Sequence, residues 1–255
     1  MPNNLPIDQL EKIVGKENLQ IHSERVFISP ENTSALAEIV KLANLEKFKI
    51  LPLGSASILE WSKLHSENMV ILKSDRLNRV KKVFPQDLYV ILQAGFPLRD
   101  LNHHLKPFNL FYPLADSSST GTIGGAVATN LKGKSGERNI QTKEYVLALE
   151  VIDPEGQILN VGARTFKSVT GYDLPRLLVG SWGTLGFISE ISLRLVPARK
   201  RKDYPGIIVD PPRRGEIKGQ KNLKIILSSR IKKSLDPNLV FLSFDSFRMN
   251  SFLRP

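Results

Sequence analysis

With 255 residues, 41% of them hydrophobic and 24% charged, the chain has the composition of a globular protein able to bury a sizeable core. It contains no cysteine, which excludes disulfides, thiolate nucleophiles, cysteine-held zinc and any iron–sulfur cluster ligated by this chain. The net charge of +11 is concentrated at one end: residues 199–255 hold 14 Lys/Arg against 5 Asp/Glu, whereas residues 1–198 hold 22 against 20. A near-neutral body with a basic tail, and no interleaved aromatics or reading module, argues against nucleic-acid recognition. It leaves a solvated tail or a dock for an acidic partner.

The first residues, Met1-Pro2-Asn3-Asn4-Leu5, lack the basic and apolar regions of a signal peptide. No run reaches the roughly 20 apolar residues of a membrane span. The expected location is the cytoplasm, or a membrane surface reached through a partner. Arg25-Val26-Phe27-Ile28 reads as a strand. A helix follows from Thr33 to Ala43, with Ala35, Leu36, Ile39, Val40 and Ala43 on one stripe and Asn32 or Thr33 as the cap. Lys49–Leu53 resumes extended structure, completing a βαβ unit and predicting a small parallel sheet. Met69–Leu72 and Leu88–Leu92 read as further strands, and Leu98, Leu101 and Leu105 mark a short helix.

The second half predicts antiparallel strands. Tyr145–Ile152 and Ile158–Val161 flank an Asp153-Pro154-Glu155-Gly156 turn. Ile191, Leu193 and Leu195 alternate with Ser192 and Arg194, the period of a strand with one wet face. Beyond Pro197 the pattern reads as a basic linker, with Arg230–Pro237 as a closing helix. There is no internal repeat.

Three segments carry candidate chemistry. In Leu51-Pro52-Leu53-Gly54-Ser55-Ala56-Ser57, a strand enters a turn of small residues whose N–H groups can meet a phosphate; a plain strand–helix turn explains it as well. Ser117–Asn130 is fourteen residues without charge, crowded with Gly, Ser and Thr. It reads as a loop that is either flexible or placed for close backbone approach to a flat ligand. Thr165–Glu190 is punctuated by four glycines, Gly171, Gly180, Gly183 and Gly186, which a buried turn system explains equally.

Other chemistries are excluded. Gly121-x-x-Gly124-Gly125 has the wrong spacing for a dinucleotide fingerprint. Gly133-Lys134-Ser135 is no P-loop, because position 128 is Ala128 where the first glycine belongs. There is neither a Gly-x-Ser-x-Gly elbow nor a His-Glu-x-x-His helix. Adjacent His103 and His104 would point about 100° apart on a helix. No metal site is expected, and no catalytic residue can be named.

Taken in order, the three segments resemble the FAD-binding PCMH-type domain of the vanillyl-alcohol oxidase and p-cresol methylhydroxylase superfamily, most closely the FAD-binding subunits of glycolate oxidase. The phrases carrying this are Leu51-Pro52-Leu53-Gly54, Thr122-Ile123-Gly124-Gly125 with Ala128-Thr129-Asn130, and Val169–Pro175 continuing to Gly183-Thr184-Leu185-Gly186. The resemblance runs from about Arg25 to Pro197. It implies an α+β fold in which two α/β lobes, roughly 1–105 and 106–197, clasp FAD. Residues 198–255 would then be the basic linker and closing helix, without a substrate cap domain.

It further implies that Gly54, Ser55, Ala56 and Ser57 hold the pyrophosphate. Thr122, Gly124, Gly125, Thr129 and Asn130 would run beside the pyrophosphate, ribityl chain and flavin, with backbone at Gly186, Phe187 and Ile188 lining the cleft. Without cysteine, and with no histidine in the pyrophosphate turn, FAD is expected to be non-covalent. The implied function is that of an FAD-binding subunit of an oxidoreductase acting on a small 2-hydroxy acid such as glycolate. Catalytic and iron–sulfur partner subunits would complete it. Two departures stand out: Arg138–Thr142 lacks the family's usual glycine, and Gly54–Ser57 is glycine-poor. The alternative is a non-catalytic, cap-less scaffold that docks a partner through its basic tail.

Overall fold

The computed structural model describes residues 5–56, 68–163, 174–210 and 229–242. It opens with helix α1 (Ile7–Val14) and the hairpin β1 (Leu19–His22) and β2 (Arg25–Ile28), turned by Ser23 and Glu24, both at positive φ. Asn32 is extended, and its side-chain carbonyl accepts from the Ala35 N–H at 2.9 Å. This satisfies one of the otherwise unpaired donors at a helix start and opens α2 (Thr33–Glu46). Of the predicted stripe, Leu36, Ile39, Val40 and Ala43 are buried against Val26, Ile28, Ile50, Val70 and Leu72. Each large side chain there contributes about 1.5–3 kcal/mol. Lys47, in the left-handed region, ends the helix.

β3 (Lys49–Leu53) and β4 (Met69–Lys73) complete the first sheet in the order β1-β2-β4-β3. β2, β4 and β3 run parallel, as the βαβ reading predicts. β4 inserts between the two strands that α2 connects. The outer edge of β3 is covered from far along the chain: Ile50 donates to the Val240 carbonyl at 2.7 Å and accepts from the Leu242 N–H at 3.0 Å. Phe241 is wholly buried there.

The second sheet is antiparallel throughout. β5 (Val80–Phe84), β6 (Tyr89–Gln93), β10 (Val146–Ile152), β11 (Ile158–Gly162) and β12 (Phe187–Arg194) lie in the order β11-β10-β12-β6-β5. The expected wet face of β12 is not there. Its central position buries both sides, and the polar residues are buried with partners. Ser189 donates to Glu150 Oε1 at 2.8 Å, and Glu190 pairs with Lys81 at 2.5 Å.

On this sheet pack α3 (Leu98–Leu105), the two-residue strand β7 (Leu110–Phe111) and α4 (Ile123–Thr129). β8 (Lys132–Ser135) and β9 (Arg138–Gln141) form a hairpin. It is joined by β14 (Ile207–Asp210), while β13 (Val196–Pro197) pairs with β7. α5 (Leu174–Leu178) precedes β12. Of the stretch after Pro197, Ala198–Asp203 is a 3₁₀ turn with Arg201 stacked over Phe111, and residues 229–235 are helical.

The two sheets share α2. Thr33 Oγ1 donates to Glu150 Oε1 at 2.9 Å, Asn44 Nδ2 donates to the Pro154 carbonyl, and Ile152 and Phe187 complete the apolar cluster beneath the helix.

Candidate functional site

Gly54, Ser55 and Ala56 form the turn that β3 enters, as expected; Ser57 lies outside the described residues. A Cβ on Gly54 would sit 2.6 Å from Thr122 Oγ1, so the first and second glycine-bearing segments touch.

The second segment corrects an expectation: Ile123–Thr129 is a helix, not a loop. Thr122 is extended and caps it, its hydroxyl accepting from the Gly125 N–H at 3.2 Å. Ile123 and Val127 point inward and are fully buried, which makes the helix worth forming despite its glycines. The first N–H groups of α4 are all engaged. Ile123 donates to the Phe96 carbonyl, Gly124 to the Ala94 carbonyl at 2.7 Å, and Gly125 to Thr122. A phosphate therefore has no call on this helix start.

Gly124 and Gly125 differ in purpose. A Cβ at Gly124 would lie 2.8 Å from the Ala94 carbonyl oxygen, so its glycine serves helix–sheet packing. At Gly125 the one contact among the described residues would be Thr122 Oγ1, at 3.4 Å. Thr129 donates to the Gly125 carbonyl at 2.8 Å and keeps acceptor capacity. Asn130, left-handed at the helix end, accepts from the Lys143 N–H and donates to Gln141. Its side chain clasps the neighbouring turn.

The third segment is described from Leu174 onward; Val169–Asp173 lies outside the described residues. Its turn reaches both of the others. Gly180 donates to the Val127 carbonyl at 3.0 Å and Trp182 to the Ala128 carbonyl at 2.8 Å. Gly183, at φ +73°, packs so closely that a Cβ would lie 3.1 Å from Pro52 Cβ. Gly186 abuts the Ile152 carbonyl. Phe187 and Ile188 send their side chains into the apolar cores, so they offer a ligand backbone only.

A cleft of about 430 Å³ opens beside the Gly54–Ala56 turn. Residues that the motifs did not flag complete its walls: Gln20 and His22 on β1, Phe27 on β2, Lys73 at the end of β4 and Asp75 just after it. Lys73 Nζ pairs with Asp75 Oδ2 at 2.5 Å. Burial acts most strongly on the Asp75 carboxyl and pushes it up. Hydrogen bonds from Lys73 and Ser29, the Lys73 charge and the Arg76 N–H together outweigh that and hold it below the usual carboxylate range. A sequence signal existed: a Lys-x-Asp step closing the apolar run Met69–Leu72. Among the described residues there is no cluster of His, Asp or Glu able to hold a metal, and no helix long and apolar enough to cross a membrane.

Known proteins supply the family. Residues 25–162, just over half of the chain, match the FAD binding domain family. The chain belongs to that family. It is 34% identical over 200 residues to the mitochondrial D-lactate dehydrogenase [cytochrome] of Arabidopsis thaliana, covering 76% of this chain and 35% of that protein. It is 34% identical over 176 residues to glycolate oxidase subunit GlcD of Bacillus subtilis (strain 168), covering 69% and 37% respectively. A D-lactate dehydrogenase of Anaerostipes hadrus is 33% identical over 175 residues, covering 69% and 37%. The chain thus spans little more than a third of the length of these curated relatives.

The geometry of this FAD-binding domain fits its cofactor. FAD needs donors and positive charge for its pyrophosphate and close, flat surfaces for its rings. The exposed turn at Ser55 shares a cleft with Lys73, itself paired with Asp75, and among the described residues nothing but Thr122 Oγ1 comes within 4 Å of a Cβ at Gly125.

Proposed function

We propose that this chain is the FAD-binding part of a flavin-dependent oxidoreductase that oxidises a small 2-hydroxy acid, of which glycolate and D-lactate are the first candidates. The names of the relatives support the substrate class, and the family match supports the cofactor. The observation that carries the reading is the convergence of three separate segments. The Gly54 turn lies against Thr122, the Gly183 turn lies against Pro52, and Trp182 bonds to the end of α4.

In this reading the two sheets act as two lobes around an extended, non-covalently held FAD. When bound, FAD supplies the redox chemistry by accepting a hydride from the carbon bearing the hydroxyl. The chain's own residues bind and orient it. Gly54, Ser55, Ala56 and Ser57 cradle the pyrophosphate, with Lys73 as the nearby cation. Gly125 and Thr129 bring α4 close to the ribityl and flavin end, Thr122 and Gly124 hold that helix in place, Asn130 closes it, and Gly186, Phe187 and Ile188 contribute backbone. We assign the substrate's carboxylate clamp, the base that takes its hydroxyl proton and an iron–sulfur acceptor to partner subunits.

Purified protein should show flavin absorption bands, or gain them on adding FAD. In its native assembly those bands should bleach with glycolate or D-lactate. A folded, colourless protein indifferent to FAD would overturn the reading in favour of a non-catalytic scaffold.

A further inference from the structure

One buried charge is not used by any of this. Lys232, in the helical segment 229–235, is only 6% exposed, and Asp236 is not exposed at all. The closing helix expected over Arg230–Pro237 thus carries a lysine that is buried in the molecule. A buried ammonium is costly unless every proton has an acceptor. Lys232 meets that condition with three acceptors from three places. It bonds to the Asp236 carboxylate, to the Phe241 carbonyl at 2.7 Å and to the Thr184 carbonyl at 2.6 Å. Asp236 in turn accepts from the Val240 N–H at 2.9 Å and the Phe241 N–H at 3.0 Å, which aligns residues 240–242 along the edge of β3.

The partners define what is being joined. Thr184 sits in the turn whose Gly183 packs on Pro52 and whose Trp182 bonds to α4. The strand-like residues 240–242 bond to Ile50, two residues before Pro52 in β3. Lys232 therefore ties the Thr184 turn and, through residues 240–242, the strand β3 that leads into the Gly54 turn to one distant segment. We propose that the Lys232–Asp236 pair is a latch: the segment 229–242 sets the position of the Thr184 turn against the Gly54 strand, and so sets how tightly FAD is held. Lys232 touches no cofactor atom in this proposal. It is a positioning residue, and the proposal rests on the FAD reading above.

Linkage makes it testable in the unaltered full chain. If the latch positions the cleft, FAD must tighten the latch in return. Adding FAD to wild-type protein should slow amide hydrogen exchange at Val240, Phe241 and Leu242 on the order of tenfold. Lys232→Met should raise the FAD dissociation constant by about tenfold. Because it leaves Asp236 buried and unpaired, this single variant risks unfolding. The double variant Lys232→Met/Asp236→Leu removes both charges and so avoids a buried unpaired carboxylate; it still strips the Val240 and Phe241 N–H groups of their acceptor, so it should stay folded with a melting temperature lowered by roughly a few degrees. It should still bind FAD about tenfold more weakly, since nothing replaces the bond to Thr184. In the FAD-free double variant, amides of Ser181–Gly186 should exchange faster than in wild type. Wild-type protein that binds FAD with no change in exchange at 240–242 overturns the latch. So does a folded double variant with unaltered FAD affinity. A wild-type chain that takes up no FAD removes the cofactor reading instead, whereas unchanged exchange at 181–186 in the FAD-free double variant removes the latch alone.

Discussion

The turn after β3 and the first turn of α4 lie side by side and are both built from glycine and small polar residues, yet they are opposite kinds of surface. The Gly54–Ala56 turn faces a cleft and leaves Ser55 exposed. The start of α4 is closed on itself, with its donors given to Phe96, Ala94 and Thr122. Low side-chain volume thus marks access in one place and tight packing in the other. Only the neighbours distinguish them, and they do so glycine by glycine: a Cβ at Gly54 would lie 2.6 Å from Thr122 Oγ1 and one at Gly124 2.8 Å from the Ala94 carbonyl oxygen, whereas at Gly125 the nearest atom among the described residues is 3.4 Å away.

The sharpest way to break this comparison is Gly124→Val. Its side chain would be driven into the Ala94 backbone, and the expected loss is about 3 kcal/mol in urea unfolding. Next door, Gly125→Val should leave stability within about 0.5 kcal/mol of wild type. It should weaken FAD binding by about tenfold, measured by flavin fluorescence, because in the proposed reading Gly125 brings α4 close to the cofactor. If Gly125→Val destabilises as much as Gly124→Val, the two positions are not different in kind. Thr122→Val removes the cap on Gly125 and should cost about 1 kcal/mol in the same urea assay.

The smallest effect concerns acid. Asp75 is held below the usual carboxylate range in the fold, so it contributes stability above its unfolded pKa and loses it as pH falls through the lower folded value. The difference in melting temperature between wild type and Asp75→Asn should therefore be constant near neutrality and vanish at strongly acidic pH.

What was legible in the sequence follows the same division. α2 announced itself because its apolar stripe and Asn32 cap are local, and β4 and β6 because Met69–Leu72 and Tyr89–Leu92 are unbroken apolar runs. That the glycine motifs lie beside one another was implied by the family resemblance alone, since each segment by itself reads equally as a plain turn. α4 was hidden because two glycines and a threonine depress helix propensity, and burial of Ile123 and Val127 overrides it. The hairpin β8–β9 was hidden because Lys-Gly-Lys-Ser and Arg-Asn-Ile-Gln carry too few apolar residues to show a period. The wet face assigned to β12 failed because alternation does not reveal whether a strand sits at the middle of a sheet. Lys73, Asp75 and Lys232 were missed since a lone charge reads as solvated until its partner is known.

The pairing of Ile50 with residues 240–242 has a consequence for the protein's behaviour in concentrated solution. Without that short stretch, β3 would present a bare ladder of amides and carbonyls beside apolar Leu51 and Met69, an open invitation to another molecule's strand. Loss of those three residues would then be felt as self-association by sheet extension, before any loss of helical or strand content.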